Sequence, residues 1–254
     1  MNVYVSLTSI FQNQTELLKT LQSIKEQLLM PSKIFLYISE EPYLLDTGFA
    51  NKIITNDNLR IFLSDNTDLV EIRWTENTGS YRKLLPLLKE KWDEDCLIIT
   101  IDDDTEYLNT LLLNLVKDYN QEKCVICYRG YTPNIRRIED ITYWNNVPTI
   151  NRYLYNLPTG KGGILYHPSF FKATGDLIFS KDMYTEVSKT TDDLWFFMVR
   201  ICNKIDCYMP KRQWQKKDNT TKHALYGNFN SKNNTNTKNL KKIIDILKLK
   251  GFLT

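Results

Sequence analysis

Leu97-Ile98-Ile99-Thr100-Ile101-Asp102-Asp103-Asp104 joins a nearly continuous apolar run to three consecutive carboxylates. A short β-branched run of this kind is a strand covered on both faces. Three adjacent carboxylates repel one another and cost stability unless a cation neutralises them. In open α/β sheets ligands sit at the carboxyl ends of the strands. That placement marks the triplet as a site, against the plain alternative of a solvated acidic turn. Hard oxygen donors suit Mg²⁺ or Mn²⁺. Mg²⁺ usually takes one or two carboxylates together with substrate phosphates, which is the chemistry of a nucleoside diphosphate site.

Outward from this stretch, strands and helices alternate. Val3-Tyr4-Val5-Ser6-Leu7-Thr8 opens the chain as a strand, and Leu17, Leu21, Ile24 and Leu28 recur at helical spacing. Pro31 ends that helix, and Ile34 to Ile38 forms a second strand. A helix is expected from about Tyr81 to Lys91, with Leu84, Leu85 and Leu88 inward. Leu108, Leu111, Leu112, Leu115 and Val116 give the face of another, and Cys124 to Tyr128 the next strand. This order predicts an α/β fold with a mostly parallel central sheet and helices on both faces.

The second half is less regular: a short strand at Gly162-Gly163-Ile164-Leu165-Tyr166, a helix from Asp192 to about Ile205, and an Asn-, Lys- and Thr-rich stretch, Lys216 to Asn239, that reads as a mobile loop. A basic amphipathic helix, Leu240 to Leu249, follows. One domain over 1–254 is expected, with a nucleotide-binding half (1–128), an acceptor and catalytic half (129–210), and a closing loop and helix (211–254).

The 254 residues are 42% hydrophobic and 25% charged, the make-up of an ordinary globular protein. A net charge of +3 is too small to point to nucleic acid, so no nucleic-acid partner is expected. No run approaches the roughly 18 apolar residues of a membrane span. The start Met1-Asn2-Val3-Tyr4-Val5 lacks a basic signal-peptide region, so a cytoplasmic location is expected. Cys124-Val125-Ile126-Cys127 has redox or zinc spacing, but in a strand residues three apart face opposite ways, and no second pair completes a zinc site.

Five segments in order resemble a GT-A-fold glycosyltransferase of the family-2-like kind. They are Val5 to Ile10, Glu76 to Leu84, Thr100 to Tyr107, Gly160 to Tyr166, and Thr191 to Trp195. The resemblance implies a nucleotide-diphosphate-sugar donor, a glycan or lipid-linked hydroxyl acceptor, a Mn²⁺ or Mg²⁺ cofactor, and a place in glycan or polysaccharide biosynthesis. Asp102-x-Asp104 matches the DXD motif, implying Asp104 as metal ligand and Asp102 near the ribose or the metal, with Asp103 between them in the substrate site. Thr8 and Ser9 fall where base and ribose bind, and Glu40 at the family's acidic nucleoside position. Gly79 and Lys83 match the glycine and basic residue flanking the nucleotide, and Gly162 and Gly163 the later substrate-side glycines. Asp192-Asp193 matches the acidic pair of inverting enzymes, with Asp193 as base. His223 stands where a late histidine can ligate the metal.

The residues themselves leave other readings open. Lys83 is equally a solvated helix lysine. Trp195 suits a sugar face but also a helix core. Asp192 and Asp193 are also good first-turn residues, where a Thr190 or Thr191 cap and the helix dipole favour the ionised form. Leu240, Ile243, Ile244 and Leu247 beside Lys241, Lys242, Lys248 and Lys250 allow packing on the domain or peripheral membrane contact. The alternatives for the whole chain are a sugar nucleotidyltransferase and a non-catalytic nucleotide- or carbohydrate-binding module. The first typically needs a glycine-rich loop after the first strand, and Ser6 to Asn13 has no glycine.

Overall fold

The computed structural model describes residues 1–133, 144–145, 151–231 and 234–253, with residues 133, 144 and 145 described by their backbone alone. The part of the expected acceptor half at 134–143 and 146–150, and residues 232–233 of the expected loop, lie outside the described residues.

The strands are β1 (Asn2–Thr8), β2 (Lys33–Ile38), β3 (Val70–Trp74), β4 (Cys96–Thr100), β5 (Thr105–Tyr107), β6 (Val125–Cys127), β7 (Gly130–Pro133), β8 (Trp144–Asn145), β9 (Arg152–Tyr153), β10 (Leu157–Pro158), β11 (Ile164–Tyr166), β12 (Cys207–Tyr208) and β13 (Gln215–Asp218). The helices are α1 (Gln14–Lys25), α2 (Asp57–Asp65), α3 (Leu85–Glu90), α4 (Leu111–Glu122), α5 (Lys181–Val187), α6 (Asp192–Cys202) and α7 (Thr235–Leu249).

Eight strands form one sheet in the order β3-β2-β1-β4-β11-β6-β12-β9. The β3-β2-β1-β4 half is parallel throughout, and β11 enters antiparallel between β4 and β6. Leu97, Ile98 and Ile99 on β4 are all buried, as a strand inside a covered sheet requires. Strand order reverses at β1 and β4, so the crevice beyond their carboxyl ends is the place for a ligand.

The helix expected from Tyr81 to Lys91 is divided. A 3₁₀ turn, Gly79–Lys83, precedes α3, and Pro86 stands in the first turn of α3, where its missing N–H costs nothing. The tight turn rotates Arg82 and Lys83 into the interior, where both are buried. Two elements lacked a clear sequence signal. β3 is an edge strand with a half-buried pattern, and α2 is a short helix started by Asn56, whose side chain accepts from the Leu59 amide at 3.0 Å. The helix read to Ile205 ends at Cys202.

The Lys216–Asn239 stretch is not one loop. It contains most of β13, a π-helical turn at Tyr226–Asn230 and the start of α7. The turn is held by Asn230 Nδ2 donating to Thr190 O (2.9 Å), and α7 by Asn239 Nδ2 donating to Thr191 Oγ1 (3.2 Å). Amide side chains supply the contacts that apolar residues would otherwise make, which is why composition suggested disorder. On α7, Leu240, Ile243, Ile244 and Leu247 are buried against the domain, where α7 meets α5 and α6. Each such side chain contributes about 1.5–3 kcal/mol by burial. The apolar face offered for membrane contact is therefore already covered. No helix among the described residues is long and apolar enough to cross a membrane.

Cys124 and Cys127 are buried and unpaired on β6 and its approach, with the thiols pushed up by burial to about 11 and about 12. They behave as core residues.

Candidate functional site

The carboxyl ends of β1 and β4 meet the N-terminus of α6 around a cavity of about 470 Å³. Thr8, Ser9, Gly79, Lys83, Asp102, Asp103, Asp104, Asp192, Asp193 and His223 all line it. Four expected site residues lie elsewhere. Glu40 reaches outward to Lys52 (3.6 Å). Trp195 is wholly buried in α6 and donates its indole N–H to Ile178 O (3.0 Å), so its core reading holds. Gly162 and Gly163 shape the turn into β11 without lining the cavity. A Cβ on Gly162 would meet Arg129 Cβ at 2.5 Å.

Asp103 ties the two strand ends together. Its Oδ2 accepts from Ser9 Oγ and from Asn13 Nδ2 (3.2 Å). Burial, then the Asp104 carboxylate, pushes its carboxyl up to about 7. An unfolded aspartate titrates near 3.9, so the folded state binds this proton more tightly. The stabilisation is complete below the unfolded value and is lost as pH rises through about 7. Asp103→Asn keeps an acceptor for Ser9 and Asn13 and removes the titration. The variant's gain in Tm should accordingly be larger at pH 8 than at pH 5, read by thermal unfolding at both pH values. An equal change at both would show that Asp103 is not the titrating group.

Lys83 joins the strand end to the helix start. Its Nζ lies 3.0 Å from Asp102 Oδ1 and 3.1 Å from Asp192 Oδ2. Burial alone would lower its pKa, but Asp102, Asp192 and Asp193 hold it well above the usual value. Ser80 Oγ also donates to Asp192 Oδ1 (2.7 Å). The solvated-lysine reading is thus excluded. Asp192 faces Ser80 with one oxygen and the Lys83 ammonium with the other.

Asp193 is only partly covered, and its Oδ1 accepts from the Gly160 amide (3.2 Å). The sequence reading had the helix N-terminus keep this carboxyl ionised. Instead burial, then Asp192, raise it to about 7. The dipole contributes only about 0.3–1 kcal/mol, too little against burial beside a second carboxylate. Thr191 holds the cap position of α6 but provides no side-chain cap, because its hydroxyl bonds Ser188 Oγ (2.5 Å).

Gly160 permits the close approach of these groups. A Cβ there would lie 2.6 Å from both Asp102 Oδ1 and Lys83 Nζ. Gly160→Ala should therefore part the Lys83–Asp102 pair and disturb the amide contact to Asp193. The expectation is a loss of at least about 1–3 kcal/mol in denaturant unfolding, the scale for a buried polar group losing its partner. A wild-type midpoint would contradict the crowding.

Asp104 remains as the carboxylate with little to hold it. Burial and then Asp102 raise it, Lys161 lowers it, and its side-chain hydrogen bond comes from Thr105 Oγ1 at 3.4 Å. Among the described residues no three His, Cys, Asp or Glu side chains gather to hold a metal. His223 shares the cavity without joining the carboxylates in such a group. The donor set Asp102 and Asp104 fits a hard divalent cation that draws its other ligands from a diphosphate, and does not fit one enclosed by protein.

Several positions in the cavity wall were not singled out by the sequence. Asp46 and Arg82 form a buried pair (3.2 Å) in the cavity wall. Asp46 also accepts from Asn77 Nδ2 (3.0 Å) and the amides of Phe11 and Gly48 (both 3.0 Å). An acid eight residues past β2, in a loop, looks like any surface residue. Lys161 pairs with Asp218 (2.7 Å); burial would raise that carboxyl, but Lys161 and Thr220 lower it to about 2.

The chain is similar in fold to solved structures. S. aureus TarS residues 1–349 in complex with UDP-GlcNAc match with a TM-score of 0.54 at 13% identity, over 88% of this chain and 60% of that one. The same TarS fragment with UDP gives 0.53 at 16% identity, over 84% and 60%. The chain has the GT-A fold. The GT-A core is shared more widely, since 4-diphosphocytidyl-2C-methyl-D-erythritol synthase from Anaerococcus prevotii matches with a TM-score of 0.53 at 13% identity, over 89% of this chain and 93% of that one. The chain spans about 60% of the TarS fragment it matches. No family model matches the sequence, and no curated protein matches it either.

Proposed function

We propose that this chain is an inverting, nucleotide-sugar-dependent glycosyltransferase with a hydroxyl acceptor and a divalent cation. The observation that carries the proposal is the division of the acidic residues lining one cavity. Asp104 stands at the carboxyl end of β4 with little to neutralise it, and Asp193 stands on α6 beside the Asp192 that Lys83 ties to Asp102.

In this reading the donor's nucleoside lies against Thr8, Ser9 and Gly79, and its diphosphate beside Asp104 with Mn²⁺ or Mg²⁺. A bound cation would offset the charge that develops on the leaving diphosphate. Lys83 holds Asp102 and Asp192 in fixed relation to both groups. Asp193 takes the acceptor's hydroxyl proton as the oxygen attacks the anomeric carbon. The bond from that carbon to the diphosphate oxygen breaks, and the configuration inverts. A carboxyl near 7 suits this work, because a base is most effective when its pKa lies close to the working pH. Residues 223–226 line the cavity wall, where they would limit access of water to a bound donor.

The fold likeness to a cytidylyl-transfer enzyme favours a second reading, a sugar nucleotidyltransferase. The glycine-free Ser6–Asn13 loop speaks against it, since a triphosphate is usually cradled by backbone amides of a glycine-rich turn. Product analysis separates the readings. Incubation with nucleotide sugars and Mn²⁺ should release nucleoside diphosphate. Pyrophosphate release from a nucleoside triphosphate and a sugar phosphate would favour the second reading. Binding without turnover would favour a non-catalytic module.

A further inference from the structure

Four Lys and Arg side chains line the cavity: Arg82, Lys83, Arg129 and Lys161. Three are neutralised, Arg82 by Asp46, Lys83 by Asp102 and Asp192, and Lys161 by Asp218. Arg129 has no carboxylate partner among the described residues. Its Nη1 donates to Thr159 Oγ1 (2.6 Å), and Thr159 N donates back to Arg129 O (3.0 Å). This fixes the guanidinium while leaving most of its five N–H donors free. A cation held in place in a cavity wall, with no counter-charge among the described residues, is prepared for an anion from solution.

The position says which part of the reaction that anion belongs to. Arg129 follows β6, and the sheet order β1-β4-β11-β6 puts it two strands from β4. Neighbouring strands lie about 5 Å apart, so the backbone of Arg129 is about 10 Å from that of the Asp102–Asp104 end of β4. Thr159, which holds Arg129, adjoins Gly160, whose amide binds Asp193. Gly160 also abuts Asp102, so Arg129 sits on the β6 side of β4, next to the turn that hydrogen-bonds the base. Exposed Lys216 and Lys217 on β13 extend positive charge outward from Asp218 at the cavity wall.

We propose that Arg129 binds an anionic group, phosphate or carboxylate, carried by the acceptor. The acceptor is then one that carries an acidic group, gripped beside the hydroxyl that Asp193 deprotonates. This inference rests on the transferase reading for the word acceptor, but the anion site can be tested without turnover.

The chain is first saturated with a nucleoside diphosphate and Mg²⁺, so that the donor side is filled. Ligand-observed NMR then compares glucose 6-phosphate and glucuronate with neutral glucose. The anionic probes should bind and glucose should not, and the relative response of the two tells phosphate from carboxylate. Arg129→Gln should weaken the anionic probes at least 10-fold, and Arg129→Lys by less. Nucleoside diphosphate affinity, measured by calorimetry, should change less than two-fold in both variants, which also shows that they are folded. Equal binding of charged and neutral probes, no binding of either anion, or a loss of nucleotide affinity in Arg129→Gln would each overturn the proposal. The last result would give Arg129 to the donor diphosphate. Failure of the transferase reading shows separately, as absence of nucleoside diphosphate release with intact anion binding.

Discussion

Asp193→Asn should lower turnover by about 100-fold or more, the usual scale for losing a general base, while donor affinity stays close to that of the parent. The substitution keeps the size of the side chain and an oxygen to accept the Gly160 amide, but it cannot take a proton at neutral pH. The parent's turnover should rise with pH through about 7, because the base works only when ionised and burial has raised it to that value. The variant should lose this limb. Calorimetry gives donor affinity, and nucleoside diphosphate release gives turnover across pH 5–9. Normal turnover in the variant would make Asp193 a first-turn residue of α6 and nothing more. A fall in donor affinity would place it in the donor site.

Asp104→Ala should act at the other side of the cavity, abolishing Mn²⁺-dependent donor binding together with turnover. Asp102 is already paired to Lys83 and Asp103 to Ser9 and Asn13, so Asp104 is the carboxylate of the triplet most available to a cation. Its removal also relieves repulsion within the triplet, so the variant should unfold at no lower temperature than the parent. Calorimetry with and without Mn²⁺ reads the first effect and thermal unfolding the second. Undiminished activity in EDTA would remove the metal from the mechanism, and full donor binding by Asp104→Ala would move the metal elsewhere.

The fold was legible wherever a strand or helix was written in consecutive apolar residues. β1, β2, β4 and most of the faces of α1 and α4 follow from hydrophobic period, but α1 ends at Lys25, and Leu28, read as part of its face, is exposed. The two edges of the sheet were not, because β3 is half exposed and β9 and β12 are two residues each. Composition misled at 216–239, where amide side chains such as Asn230 and Asn239 anchor the backbone in place of apolar contacts.

At the site, the carboxylate triplet and the pair on α6 announced themselves by position after a strand and before a helix. Lys83 was legible as a residue but not as a bridge, since joining Asp102 to Asp192 depends on packing across 90 residues of sequence. Asp46 and Arg129 sit in loops, and only the folded cavity distinguishes them from surface charges. Glu40 drew attention by its place after β2, yet the chain turns so that Asp46, further along the same loop, reaches the interior.

The central claim is that one cavity holds the donor between Asp104 and Asp193. A crystal structure of the chain with a nucleoside diphosphate and Mn²⁺ tests it most directly. The expected result is a nucleoside against Thr8, Ser9 and Gly79, Mn²⁺ bridging Asp104 and the diphosphate, and the terminal phosphate directed toward Asp193. Nucleotide bound outside this cavity, or within it with the metal remote from Asp104, would contradict the claim.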